Sequence, residues 1–162
     1  MPKLAEKTKP ILKLMKKVTH FKWDKICEDS FDNIKKFLAL PPILQKPNTT
    51  LPIIIYLAAT EDAVSAALVQ EKDREQQPIY FVSQILQDAE RRYQTVEKMV
   101  LSLLIATCRL RSYFQNHSIM VRLDHPIHKV LRKPELAGRM VAWVVELSEY
   151  QISYKPRRPI KA

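Results

Sequence analysis

The sequence is poor in glycine, in cysteine and in long apolar runs. Gly138 is the only glycine among 162 residues, against eleven prolines. A phosphate-cradling loop needs several glycines at fixed spacing, so neither a Walker-type loop nor a dinucleotide fingerprint can be built. Turns fall to Pro, Asn and Asp instead. The two cysteines, Cys27 and Cys108, lie within amphipathic helical patterns. That placement predicts buried core thiols rather than a disulfide or a metal pair, and it fits a reducing compartment. No apolar run is long enough to span a bilayer, and the N-terminus lacks the apolar region of a signal peptide. The expectation is an intracellular chain, cytoplasmic or nuclear, with no membrane partner.

What is present is a basic chain of net charge +10, unevenly charged along its length. Residues 1–36 hold ten Lys/Arg and five Asp/Glu, residues 37–104 six and eight, and residues 105–162 eleven and four. Both ends are basic. Such a surface is the electrostatic footprint of a nucleic-acid partner, and equally that of a solvated lysine-rich face. Apolar residues make up 46% of the chain, enough for one core if most of the length packs as a unit. The length suits one domain plus an extension.

The periodicities predict a mixed α/β protein. A basic helical segment covers 4–17, with Pro10 starting or kinking it. Asp24 is a good N-cap for a second helix carrying Ile26, Cys27, Phe31, Ile34, Phe37 and Leu38 on one stripe, ended by Pro41-Pro42. Leu51–Leu57 reads as a central strand covered on both sides. Ala63–Gln70 and the short Ile79–Ser83 are further strands, with Glu71–Gln77 as a charged hairpin loop. A long helix is expected from about Asp88 to Phe114, with Val96, Met99, Val100, Leu103, Leu104, Thr107, Leu110 and Phe114 on one face. Ile119–Leu123 is a fourth strand ending at Asp124. A helical turn at Ile127–Leu131 and a helix from about Leu136 to Ser148 follow, the latter burying Met140, Trp143, Val144 and Leu147. The alternation Tyr150–Tyr154 predicts a half-buried edge strand. The order β-β-β-α-β-α-β implies a five-stranded mixed sheet with helices packed on it.

A strand-end aspartate such as Asp124 is a common way to hold a catalytic metal. Here the upstream strand runs instead into Ala58-Ala59, and one carboxylate cannot make a two-metal site. His125 and His128 have a spacing that can bind metal, but with only Asp124 nearby a cap and an exposed ring are the expectation. Trp23 and Trp143 are expected in core packing or domain docking rather than stacked on bases. Arg157 and Arg158 are candidate phosphate contacts, or part of a frayed tail.

Several words, in order and at matching spacing, resemble the RNase H-like domain of gypsy-type LTR retrotransposon polyproteins. Phe21-Lys22-Trp23-Asp24, then Cys27, Phe31 and Leu38–Leu44, resemble the segment joining the reverse transcriptase thumb to RNase H. Pro78–Ser83, Ala89–Tyr93 and Val96-Glu97-Lys98 are similar to the third strand and helix opening. Leu110–Phe114, Leu123-Asp124-His125 and Gly138–Tyr150 are similar to the helix end, the fourth strand, and the late helix with the start of the last strand. Tyr56–Val69 is similar to a plant subgroup in which this domain is often degenerate. The resemblance implies residues 1–45 as a helical remnant of the thumb or connection and residues 46–162 as an RNase H-like domain truncated at its C-terminus.

Active members of that family hold two Mg2+ ions about 3.5–4 Å apart between four carboxylates and hydrolyse the RNA of a hybrid. By position the first carboxylate falls on Ala58, the second on Met99 and the third on Asp124, while the fourth falls beyond Ala162. No cofactor is therefore expected. The resemblance implies a nuclease-dead connection or hybrid-cradling module of a reverse transcriptase. Its partners would be an RNA/DNA hybrid and neighbouring polyprotein domains, with no small-molecule substrate. Two alternatives stand beside it: an active hybrid endonuclease using Asp124 with Glu61, Asp62 or Glu97, and a retroelement fragment without function.

Overall fold

The structure, a computed structural model, describes residues 4–15, 20–124, 127, 131 and 138–157. Its elements are α1 (Leu4–Leu14), α2 (Lys25–Ala39), β1 (Ile53–Ala59), β2 (Ala63–Lys72), β3 (Glu75–Ile85), α3 (Asp88–Arg91), α4 (Thr95–Arg109), α5 (Arg111–Asn116), β4 (Ile119–Leu123), α6 (Gly138–Ser148) and β5 (Ile152–Pro156). The strands form one sheet in the order β3-β2-β1-β4-β5. The first three pair antiparallel, while β4 runs parallel to β1 and β5 parallel to β4. This is the five-stranded mixed sheet with flanking helices that the order of elements predicts. Its apolar run does place β1 at the centre.

Alternation along the strands divides the sheet into two faces. Ile53 and Ile55 of β1 and Ile119, Val121 and Leu123 of β4 are buried on one face. They join Val100, Leu103 and Ala106 of α4, Phe114 of α5 and Met140 and Leu147 of α6 in the main core. Ile54, Tyr56 and Ala58 of β1 and Met120 and Arg122 of β4 alternate with these and belong to the opposite face. There α1 packs near β3, and the Ala5 N–H donates to Ser83 Oγ at 3.0 Å.

Several local expectations are corrected. The loop expected at Glu71–Gln77 is mostly strand, because β2 and β3 are joined by a two-residue turn at Asp73-Arg74. Both turn residues have positive φ, 53° and 68°. Tight hairpins favour this geometry, and glycine usually supplies it. A chain with no glycine to spare there uses Asp and Arg. The long helix expected over Asp88–Phe114 is three helices. Glu90 Oε2 accepts from the Gln87 N–H at 2.8 Å, and Glu97 Oε2 accepts from the Gln94 N–H at 2.9 Å. Each acid starts a new helix by satisfying an N-terminal donor. Leu110, with ψ 34°, breaks the chain again before α5.

The α2 stripe, on whose covering the sequence is silent, is only partly covered. Asp24 does cap the helix, accepting from the Cys27 N–H at 2.9 Å. Cys27 is buried, but Ile26 and Leu38 are 65% and 62% exposed. The helix packs on α1 rather than on the sheet, so only one narrow edge is covered. Cys108 is exposed, with its Sγ 3.2 Å from Glu146 Oε1, contrary to the expected buried thiol. In α6, Met140 and Leu147 are buried while Trp143 and Val144 are half-buried. Of the expected turn at Ile127–Leu131 only its two end residues are described.

Candidate functional site

The parallel pairing of β1 with β4 brings the two strand ends together. Tyr56 stands opposite Arg122, so Ala58 and Asp124 follow two positions further along. The pairing thus sets side by side Ala58 and Asp124, the two positions to which the resemblance assigns the first and third carboxylates. At the first there is a methyl group, which offers no oxygen to a cation. The space beside it is a crevice of about 10 Å³, lined by Ala58, Thr60, Ser65, Ser83 and, from α1, Glu6. That is about the room of a single water molecule. Glu6 is a carboxylate that sequence reasoning missed, because only the docking of α1 brings it to β1.

Asp124 is exposed, and its Oδ2 lies 3.9 Å from Arg157 Nη1. Arg157 is held there by its own backbone, whose N–H donates to the Leu123 carbonyl at 3.0 Å. The arginine nominated as a phosphate contact is thus the partner of the retained carboxylate. Its Cζ also lies 5.6 Å from the centre of the Tyr56 ring. Arg158, His125 and His128 lie outside the described residues.

Met99 is half-buried and packs against the main core from the first turns of α4. Its neighbour Lys98 was not anticipated. This lysine is only 7% exposed, and its Nζ donates to the carbonyls of Thr60 and Glu61 at 3.3 and 3.1 Å. An ammonium thus ties α4 to the turn that leaves β1. A charge inside an amphipathic helix gives no sequence signal of such burial.

Of the three substitute acids, Asp62 and Glu97 have their carboxylates in ion pairs. Glu61 is exposed and contributes its carbonyl to Lys98. Asp62 is ion-paired with Lys9 of α1 and, at 2.6 Å, with Arg91. The Lys9 hydrogen bond, with Arg91 beside it, holds the Asp62 carboxyl below the usual carboxylate range despite its partial desolvation. Glu97 accepts the Gln94 N–H and pairs with Arg139 at 2.7 Å. Among the described residues, no group of three or more His, Cys, Asp or Glu side chains is placed to hold a metal ion. The donor set described here does not fit a pair of divalent cations, which need several converging oxygens.

Trp143 packs against the core and lies 6.0 Å from the Tyr93 ring. Trp23 is 42% exposed, edge-on to Phe31 at 6.0 Å. No helix among the described residues is long and apolar enough to cross a membrane.

Residues 23–121 match the model of the RNase H-like domain found in reverse transcriptase. The matched span opens at Trp23, ahead of α2. The chain is similar to the retrovirus-related Pol polyprotein from transposon 297 of Drosophila melanogaster, with 30% identity over 153 residues. That alignment covers 93% of this chain and 14% of the polyprotein. The transposon Tf2-3 polyprotein of Schizosaccharomyces pombe is 26% identical over 164 residues, covering 96% of this chain and 12% of that protein. The chain thus spans about one seventh of the length of the curated relatives it matches. In fold it is similar to a foamy viral protease-reverse transcriptase in complex with dsDNA, with a TM-score of 0.80 and 18% identity over 100% of this chain and 35% of that one. The same enzyme in complex with an RNA/DNA hybrid gives a TM-score of 0.80 and 18% identity, over 99% of this chain and 23% of that one.

Proposed function

The chain belongs to the RNase H-like domains found in reverse transcriptase, and from that membership we propose that it is a nuclease-inactive module of a retrotransposon polyprotein. The polyprotein is of the gypsy-type LTR class, nearest the plant subgroup with a degenerate domain. Residues 1–45 form the polymerase-side connection and residues 46–162 the RNase H-like body. The module links the polymerase to later parts of the polyprotein and contacts an RNA/DNA hybrid through its basic surface.

The observation that carries this reading is the pair of strand ends. Ala58 stands beside Asp124, and Asp124 is paired with Arg157 rather than grouped with other carboxylates. Of the candidate replacements Glu61 is exposed, while Asp62 and Glu97 are neutralised by Lys9 and Arg91 and by Arg139. Moving either acid to the strand ends would break ion pairs that hold α1, α3 or α6. Support for the nucleic-acid contact is the charge of both chain ends, together with relatives of the same fold described in complex with dsDNA and with a hybrid.

The test is incubation of the chain with a labelled RNA/DNA hybrid in Mg2+ and separately in Mn2+. No cleavage is expected in either. Cleavage that disappears in Asp124→Asn would overturn the reading and restore the endonuclease.

A further inference from the structure

Pairing across β1, β4 and β5 aligns Tyr56 with Arg122 and Arg122 with Lys155. Residues in register share a face, so these three form one row across the sheet. Their neighbours Ile55, Val121 and Tyr154 pack in or against the core on the other side, so the row belongs to the face opposite α4. One step beyond the pair Leu123–Pro156, Asp124 and Arg157 continue the adjoining row. Arg157 reaches back across β4 to the Tyr56 ring. Lys155 is exposed, Arg157 is 51% exposed, and Arg122 is 13% exposed.

The row is wired for an anion. Tyr56 Oη accepts from Gln76 Nε2 at 2.6 Å and from Arg122 Nη1 at 3.2 Å. Its own hydrogen remains to be donated. Two carboxylates now face the cations: Glu71, whose Oε2 is 3.2 Å from Arg122 Nη2, and Asp124 beside Arg157. Three cations against two acids leave the strip with one net positive charge.

We propose that Tyr56, Arg122, Lys155 and Arg157 form a binding strip for the phosphate backbone of a double-stranded nucleic acid, in which phosphate oxygens replace Glu71 and Asp124 as partners of the arginines. The proposal rests on the hybrid-contacting reading above and says where that contact is made. It also gives the retained aspartate a sign opposite to that of a metal ligand: Asp124 opposes binding. Phosphate contacts of this kind position a duplex without reading its sequence.

The experiment is fluorescence anisotropy of a labelled RNA/DNA hybrid with the full chain in EDTA, between about 50 and 200 mM salt. Each phosphate contact steepens the slope of log affinity against log salt by about 0.9, so Lys155→Gln with Arg157→Gln should shrink the ratio of affinities at the two salts roughly tenfold. Glu71→Gln and Asp124→Asn should each tighten binding, an effect that partial unfolding does not mimic. If the wild type binds but the double variant keeps its salt slope, the strip is wrong and the hybrid-contacting module stands. If Asp124→Asn weakens binding in EDTA, the strip is likewise overturned. If the wild type does not bind at either salt, the hybrid contact itself fails and the strip falls with it.

Discussion

On one face of β1 and β4, Ile53, Ile55, Ile119 and Val121 are at most 1% exposed beneath α4 and its neighbours. On the other face, the same two strands end in an alanine and an exposed, ion-paired aspartate. The first face is fixed by packing. Its side chains touch one another across strands and helices, so each supports the rest. Ala58 and Asp124, at the strand ends of the second face, take no part in that core. A carboxylate cluster is held there only by the cation it binds, and without that cation neighbouring acids repel. A fold held by the first face does not depend on a metal at these strand ends. Met99, the position to which the resemblance assigns an acid, is an apolar side chain packed against the core.

The comparison is broken most severely by cutting into the packed face. Ile55→Ala should cost about 2–5 kcal/mol, the range for truncating a fully buried aliphatic side chain. Urea melts measure it, and a cost below about 1 kcal/mol would mean that this face is not the source of stability. Next in size is Met99→Glu. An unpaired carboxylate at this half-buried position should cost about 1–3 kcal/mol. A neutral effect in thermal melts would mean that the site still accepts an acid, as a working nuclease site would.

How much of this was legible depends on which forces act locally. The packed face was readable because its signals are periodic. The apolar run before Ala58 placed β1 at the centre, and Asp24 capped α2 through the very N–H expected of a cap. The break at Gln94 was carried by Glu97, whose capping partner lies three residues away, but a continuous apolar stripe hid it. The α2 stripe is legible as a face, but periodicity does not report what covers it. Lys98 and Glu6 were missed for another reason. Each owes its position to an element distant in sequence, the β1–β2 turn for one and the docking of α1 for the other. The resemblance assigned Ala58 and Asp124 to the ends of two strands, and the parallel register makes those ends neighbours. The resemblance did not indicate that Asp124 would face Arg157 or that Asp62 would anchor α1.

Acid titration sharpens the contrast with a smaller effect. The Asp62 carboxyl titrates below its ordinary value because Lys9 and Arg91 favour its charged form. A depressed folded pKa contributes stability above the unfolded value near 3.9, and that contribution is lost as pH falls through the folded value. Asp62→Asn should thus flatten the decline of melting temperature below about pH 4 relative to wild type. An unchanged acid limb would mean that the ion pairs do not form in solution. The smallest effect belongs to Asp124→Asn. Its pair with Arg157 is solvent-exposed at 3.9 Å, and such pairs contribute little. The variant should melt within about 0.5 kcal/mol of wild type. A large loss would make Asp124 a structural residue after all.

The proposal at the centre of the account is that the strand ends of β1 and β4 do not form a metal site. Titration of the chain with Mn2+, followed by the electron paramagnetic resonance signal of the free ion, tests it directly. The account predicts the same titration for wild type and Asp124→Asn. A Mn2+ site present in wild type and lost in Asp124→Asn would contradict it.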